Sequence, residues 1–229
     1  KEDPSVQSRL WDIDGIRHIV MPHVEAAAFE ETEAGIKQRD VVNVGLSQRW
    51  QTHRGQADNR RSVDWLRLDV DSTWINDESP TAQGLPYTFG PAGFIYNDPS
   101  IPVFLRRNDR YYSMVRDTIN TDMEWRISDT TAVLSDMNYD MESGVVQQFD
   151  MGMSRYLFPD MSVYLGSRYL RPVIVDIDEN NDGISDIYEQ GSHSVVGAVT
   201  YQLAPRYWVT YSQEYNFDFG KGIRNDFAL

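Results

Sequence analysis

Between Thr118 and Arg171 apolar and polar residues alternate through four consecutive segments joined by turns of a few residues. In TINTDMEWRIS, Ile119, Thr121, Met123, Trp125 and Ile127 share one parity, and Asn120, Asp122, Glu124 and Arg126 share the other. TAVLSDMNYDM sets Val133, Met137, Tyr139 and Met141 against Asp136, Asn138 and Asp140. VVQQFDMGMSRY sets Phe149, Met151 and Met153 against Gln148, Asp150 and Ser154, and MSVYLGSRYLR carries Met161, Val163, Leu165 and Tyr169 on one side. A period of two marks a strand with one apolar and one polar face. Each segment runs about 11 residues, the length a tilted strand needs to cross a bilayer. Strands of soluble sheets are usually about half as long.

The same alternation recurs on both sides of this centre. GIRHIVMPHVEAAAFE, residues 15–30, reads as a strand with Pro22 inside it, and a proline there marks an edge, a bulge or an opened register. VVNVGLSQRWQ, DWLRLDVDSTW, HSVVGAVTYQL and YWVTYSQEYNFD complete the set, giving about nine strands by the alternation rule. Residues 1–14 are polar without a period, 31–40 form a charged loop, and 52–62 form a basic one. Residues 76–110 carry eight prolines and glycines among aromatic residues and read as a long surface loop folded over one mouth of the sheet. A second long connection, acidic, covers 172–192. The turns near 128–131, 157–161 and 203–207 fall at one end, and the connections at 75–117 and 172–192 fall at the other.

Two architectures make use of such ribbons. A sandwich turns its apolar rows toward a second sheet. An outer-membrane barrel turns them toward lipid and lines a wet lumen with the polar rows. Strand length, regular charged rows, and short turns opposite long loops favour an all-β, antiparallel, up-and-down outer-membrane-type β-barrel, one domain over residues 1–229. Barrels of this type have an even number of strands, so a count of about nine implies part of a barrel. The chain ends likewise read as those of a fragment. Tyr207 and Tyr215 near the two ends of one apolar row suit the two membrane interfaces.

Composition narrows the function. No run of about 18 apolar residues exists, which excludes a transmembrane helix but not barrel strands, whose mean hydropathy is low. The net charge of −14 argues against nucleic acid, because phosphate contacts need a positive surface. With no cysteine, disulfides and thiolate metal sites cannot form.

Three stretches resemble the barrel domain of the LPS-assembly outer-membrane proteins, the LptD (OstA) family. They are Gly15-Ile-Arg-His-Ile-Val-Met-Pro22, Leu46-Ser-Gln-Arg-Trp-Gln-Thr-His-Arg-Gly55 with Val63-Asp-Trp-Leu-Arg-Leu-Asp69, and the meander with Leu134-Ser-Asp136 and Arg168-Tyr-Leu-Arg-Pro172. The similarity is scattered over residues 15–220 at the level of strands. It implies an outer-membrane location, contact with membrane lipid, lipopolysaccharide as cargo and a lipoprotein plug as partner. The family's N-terminal jellyroll and its cysteines have no counterpart in this sequence, so its transport residues do not carry over.

One motif carries chemistry of its own. Asp178-Glu-Asn180-Asn-Asp182-Gly183-Ile184-Ser-Asp186-Ile-Tyr-Glu189 fits the calcium-loop pattern D-x-[DN]-x-[DN]-G-x5-E. Ca²⁺ takes six to eight hard oxygens. Here Asp178, Asn180, Asp182, the Ile184 carbonyl, Asp186 through water and a bidentate Glu189 are the candidate ligands, with Asp176 nearby. A solvated acidic hairpin loop is the plain alternative. His18, His23, His53 and His193 show no metal spacing, and His18 and His23 fall on opposite faces of an ideal strand. No nucleophile, zinc or phosphate-loop motif occurs, so no catalytic residues and no enzyme activity are expected. Arg49, Arg67, Asp69, Asp122, Glu124, Arg126, Asp136, Asp150 and Arg168 form charged rows that would line a lumen. The functions to weigh are an LPS-assembly barrel, an outer-membrane porin or channel, and a soluble calcium-stabilised β-sandwich for binding or adhesion.

Overall fold

The computed structural model describes residues 1–29, 39–76, 117–177, 186–217 and 221–228. They form eleven strands: β1 (Glu2–Ser8), β2 (Ile13–Phe29), β3 (Arg39–Arg54), β4 (Arg61–Ile75), β5 (Thr118–Arg126), β6 (Thr131–Asp140), β7 (Val145–Phe158), β8 (Met161–Ile177), β9 (Asp186–Ala204), β10 (Tyr207–Asn216) and β11 (Lys221–Ala228). All belong to one sheet in sequence order, each antiparallel to the next, with β1 and β11 at its two edges. A 3-10 turn at Ala57–Asn59 is the helical element among the described residues. The all-β, up-and-down architecture is therefore the one expected, but a second sheet, as a sandwich requires, is absent among the described residues.

The count of about nine from alternation falls short of the eleven strands by β1 and β11. Both lie at the edges, and neither EDPSVQS nor KGIRNDFA shows a long apolar row. β1 pairs through its backbone, with a register shift between Asp3 and Gln7. The 172–192 connection also differs from expectation. β8 continues to Ile177 and β9 begins at Asp186, with pairs from Val173↔Gln190 to Ile177↔Asp186. Pro172 falls at the register shift between Leu170 and Val173, where its missing N–H breaks no regular ladder. Most of the 76–110 loop, from residue 77 on, lies outside the described residues.

Burial is inverted relative to a soluble protein. Asn43, Asp69, Asp71, Asn120, Asp122, Glu124, Asn138, Gln148, Asp150, Arg168, Ser194, Glu214 and Asn216 are buried. Val20, Val24, Val42, Val44, Leu46, Phe149, Met151, Met153, Leu165, Val199 and Tyr211 are exposed. In a single layer this happens when the sheet curls toward its polar face. Polar side chains then crowd one another on the inside while apolar ones diverge on the outside.

Space inside the curl is filled locally. On the polar face Gly152 of β7 pairs with Gly166 of β8, and the buried Tyr164 ring lies over both. A Cβ at either glycine would collide with that ring, so an aromatic side chain occupies the room two glycines leave. Leu134, Val196 and Ala198 pack around the same ring.

At the short-turn end, buried Arg54 holds neighbouring connections together. Its guanidinium donates to the carbonyls of Asp12 (3.3 Å), Arg126 (2.8 Å) and Ile127 (3.3 Å) and pairs with the carboxylates of Asp12 (3.0 Å) and Asp129 (3.4 Å). Trp11, in the turn between β1 and β2, meets Trp125 of β5 at a centroid distance of 5.0 Å.

Candidate functional site

The polar face is built by register. Cross-strand pairs run Ser47↔Asp69, Asp69↔Asp122, Asp122↔Asp136, Asp136↔Asp150 and Asp150↔Arg168. Four aspartates on four successive strands thus stand side by side, capped by a serine at one end and an arginine at the other. Like charges directly opposite repel, so such a row persists only with compensation around it.

Arginines supply part of that compensation. Arg168 Nε donates to Asp150 Oδ1 at 2.9 Å, and its Nη1 lies 3.8 Å from Glu214 Oε2 on β10, two strands away. Ser194 Oγ donates to Glu214 Oε1 at 2.5 Å. Nearer the short turns, Arg49 donates to both Asp64 oxygens at 3.2 and 2.6 Å. Arg67 lies 3.5 Å from Asp64 and from Glu124, and Arg126 Nε donates to Glu124 Oε1 at 2.5 Å. Ser47 Oγ donates to Asp69.

A row of amides runs beside the aspartates. Asn43 Nδ2 donates to Asp71 Oδ2 (2.8 Å) and Thr73 Oγ1 (2.9 Å), Asn120 Nδ2 to the same Asp71 oxygen (2.8 Å), and Asn138 Nδ2 to Asn120 Oδ1 (2.6 Å). Gln148, paired with Asn138, donates to Asp150 Oδ2 at 2.6 Å. The acceptor oxygens Asn43 Oδ1, Asn138 Oδ1 and Gln148 Oε1 are buried without a protein partner. In a dry core each such group costs about 1–3 kcal/mol, whereas water in a lumen satisfies it. A cavity of about 330 Å³ opens along this face beside β2, lined in part by His23, Glu25, Ser47, Arg49, Arg67 and Asp69.

The opposite face forms an apolar belt with aromatic margins. Trp74, Tyr139, Phe149, Tyr169 and Tyr215 lie toward the long connections, and Trp50, Trp125, Phe158, Tyr201 and Tyr207 toward the short turns. From Tyr207 to Phe217 the chain advances ten residues. That is roughly 34 Å along a strand at ~3.4 Å per residue, or ~26 Å of height at a tilt of ~40°. The apolar band of an outer-membrane barrel is about 25 Å tall.

Of the candidate calcium ligands, Asp178, Asn180, Asp182 and Ile184 lie outside the described residues. Asp186 and Glu189 enter the β8–β9 ladder opposite Ile177 and Ile174. Among the described residues no three His, Asp or Glu side chains are placed to share a metal. His18 and His23 take opposite faces as expected. His18 stacks on Trp50 at 4.4 Å and 7°, while the His23 ring covers Gly45 on the polar face. The nine charged residues expected to line a lumen all lie on the polar face, which also carries the amide row, Tyr164 and Glu214. Nothing in the alternation separates these additions from ordinary polar-row residues; register brings them together.

Arg168→Ala leaves Asp150 and Glu214 buried without their shared cation. The expected loss is about 3–5 kcal/mol, seen as a lower denaturant midpoint, with Arg168→Lys intermediate because a point charge replaces a fork. An unchanged midpoint in Arg168→Ala would show that this pair does not stabilise the polar face.

No helix among the described residues is long and apolar enough to cross a membrane, which leaves strands as the means of crossing open. No protein-family model matches the chain, and no curated protein matches it either.

Proposed function

We propose that this chain forms a transmembrane β-barrel of the outer membrane, with lipid around the apolar face and water within the polar one. The inverted burial carries this proposal: Met151 and Val199 point outward while Asn43 and Gln148 are buried. A soluble protein rarely exposes so continuous an apolar surface, and a bilayer turns that exposure into stabilisation. The belt height and the aromatic margins support the same proposal.

For the cargo we propose lipopolysaccharide moved toward the outer leaflet, with a lipoprotein plug as partner, on the strength of the strand-level resemblance. A second proposal, a porin-like channel, draws on the row Asp69, Asp122, Asp136 and Asp150, a charge lining suited to polar solutes. For the connection between β8 and β9, with Asp186 and Glu189 in the first residues of β9, we propose a Ca²⁺ site.

Three measurements test these proposals. The protein should need detergent and migrate as a compact band on gels until heated. Met151→Arg, outward at mid-belt, should remove that band at a cost of ~2–4 kcal/mol. Solubility in plain buffer, or indifference to Met151→Arg, would refute the barrel. Depleting the protein from cells should lower surface lipopolysaccharide; unchanged surface lipopolysaccharide with reduced solute uptake would favour the channel. Calorimetric titration with Ca²⁺ should show uptake that Asp182→Ala abolishes, and no heat at millimolar Ca²⁺ removes the calcium proposal.

A further inference from the structure

Two rows of oxygen-bearing side chains lie side by side on the polar face of β4 to β7. One is Asp69, Asp122, Asp136 and Asp150. The other, two residues along each strand, is Asp71, Asn120, Asn138 and Gln148. An ionised carboxylate only accepts hydrogen bonds, so each carboxylate fixes which atom of the amide beside it is the nitrogen. Asp71 Oδ2 receives Asn120 Nδ2 at 2.8 Å, which leaves Asn120 Oδ1 to accept from Asn138 Nδ2 at 2.6 Å. Asp150 Oδ2 receives Gln148 Nε2 at 2.6 Å.

Donation thus leads from Asn138 toward β5 and from Gln148 along β7. Asn138 and Gln148 are directly paired across the β6–β7 boundary. Both are fully enclosed, at 0% and 1% exposure, and Asn138 Oδ1 and Gln148 Oε1 have no protein partner. The Asp136↔Asp150 pair crosses the same boundary one step along.

A bulge removes the nearest further donor. The register shifts between Asn138 and Tyr139, which leaves Gln147 outside the pairing and beside Gln148. Gln147 is buried as well, and its Nε2 donates to Asp140 Oδ2 at 3.0 Å and to Ser143 Oγ at 3.5 Å. Both of its amide hydrogens are thereby engaged.

Water can donate to either oxygen alone. Two carbonyl oxygens that face one boundary between carboxylates form surroundings suited to positive charge. Directly opposed side chains start from Cβ atoms about 5 Å apart, and a hard cation joins oxygens at that separation or less. Among the described residues no three His, Asp or Glu side chains converge, and Arg168 already pairs with Asp150 at 2.9 Å. So small a ligand charge suits a monovalent ion better than a divalent one.

We propose that the β6–β7 boundary of the polar face holds a small monovalent cation, of sodium or potassium size. Asn138 Oδ1 and Gln148 Oε1 are its amide ligands, Asp136 and Asp150 supply negative charge beside it, and water completes the shell. The site rests on the barrel proposal above, which gives this face its aqueous access.

Heat-modifiable migration of the protein in detergent reads the site directly. The compact band should persist to a higher temperature in NaCl or KCl than in N-methylglucamine chloride of equal ionic strength, because the bulky cation cannot enter. That difference should saturate with concentration. Gln148→Glu should lower the half-saturating concentration about tenfold, since a carboxylate replaces a carbonyl ligand. Gln148→Lys brings its own ammonium group, so its band should survive in N-methylglucamine chloride as the parent's does in KCl, without dependence on the cation. Equal band loss in small and bulky cations, or full cation dependence in Gln148→Lys, overturns the site and leaves the barrel proposal standing. A parent protein without a heat-modifiable band refutes the barrel proposal, and the site with it.

Discussion

Polar side chains that face inward on a single curled sheet must satisfy one another, and the rest of the structure follows from that constraint. Asp71 accepts from Asn43 and Asn120, which in turn accepts from Asn138, so three strand boundaries are bridged by amides and one carboxylate. Arg168 joins β7 to β10 over the intervening strands. These bonds cost little to make because the backbone ladder already holds their partners at cross-strand distance. The apolar face carries no comparable requirement. Its residues need only be apolar, and Met, Val, Leu and Tyr succeed one another there without matched partners.

The sequence made some of this legible. A period of two is a local property, so the faces of β3 to β10 could be assigned from parity alone. Register is not local. Asp69, Asp122, Asp136 and Asp150 are recognisable as polar-row residues, but nothing in their spacing says that they fall in one line. The edge strands escaped for a related reason. β1 lacks an apolar row and is held by backbone pairing, which leaves no mark in composition. Pro22 signalled an edge, a bulge or an opened register, and the β2–β3 register runs through it unbroken from Arg17 to Phe29.

Curvature and filling are coupled. A curled sheet brings inner side chains closer than outer ones, so some inner positions must be small. Gly152 and Gly166 meet that need beneath Tyr164, and Gly45 meets it beneath His23. In both places one large side chain fills the room that glycine leaves, which keeps the interior filled where strands converge. Arg54 plays a related part at the rim, where its guanidinium donates to the carbonyls of Asp12, Arg126 and Ile127.

The interior charge bears on the choice of cargo. Across the polar face the acids Asp64, Asp69, Asp71, Asp122, Glu124, Asp136, Asp140, Asp150 and Glu214 outnumber Arg49, Arg67, Arg126 and Arg168. The whole chain carries −14, so the residues elsewhere do not reverse that sign. Low-dielectric walls focus such a field and raise the local concentration of cations. An anionic amphiphile moving along this face would be repelled by the aspartate row, whereas a cation or a neutral solute would not. The charge pattern thus supports the proposed porin-like channel more directly than the proposed passage of lipopolysaccharide along this face. A lipopolysaccharide path, in turn, is better matched to a course that keeps its phosphates away from Asp122 and Asp136.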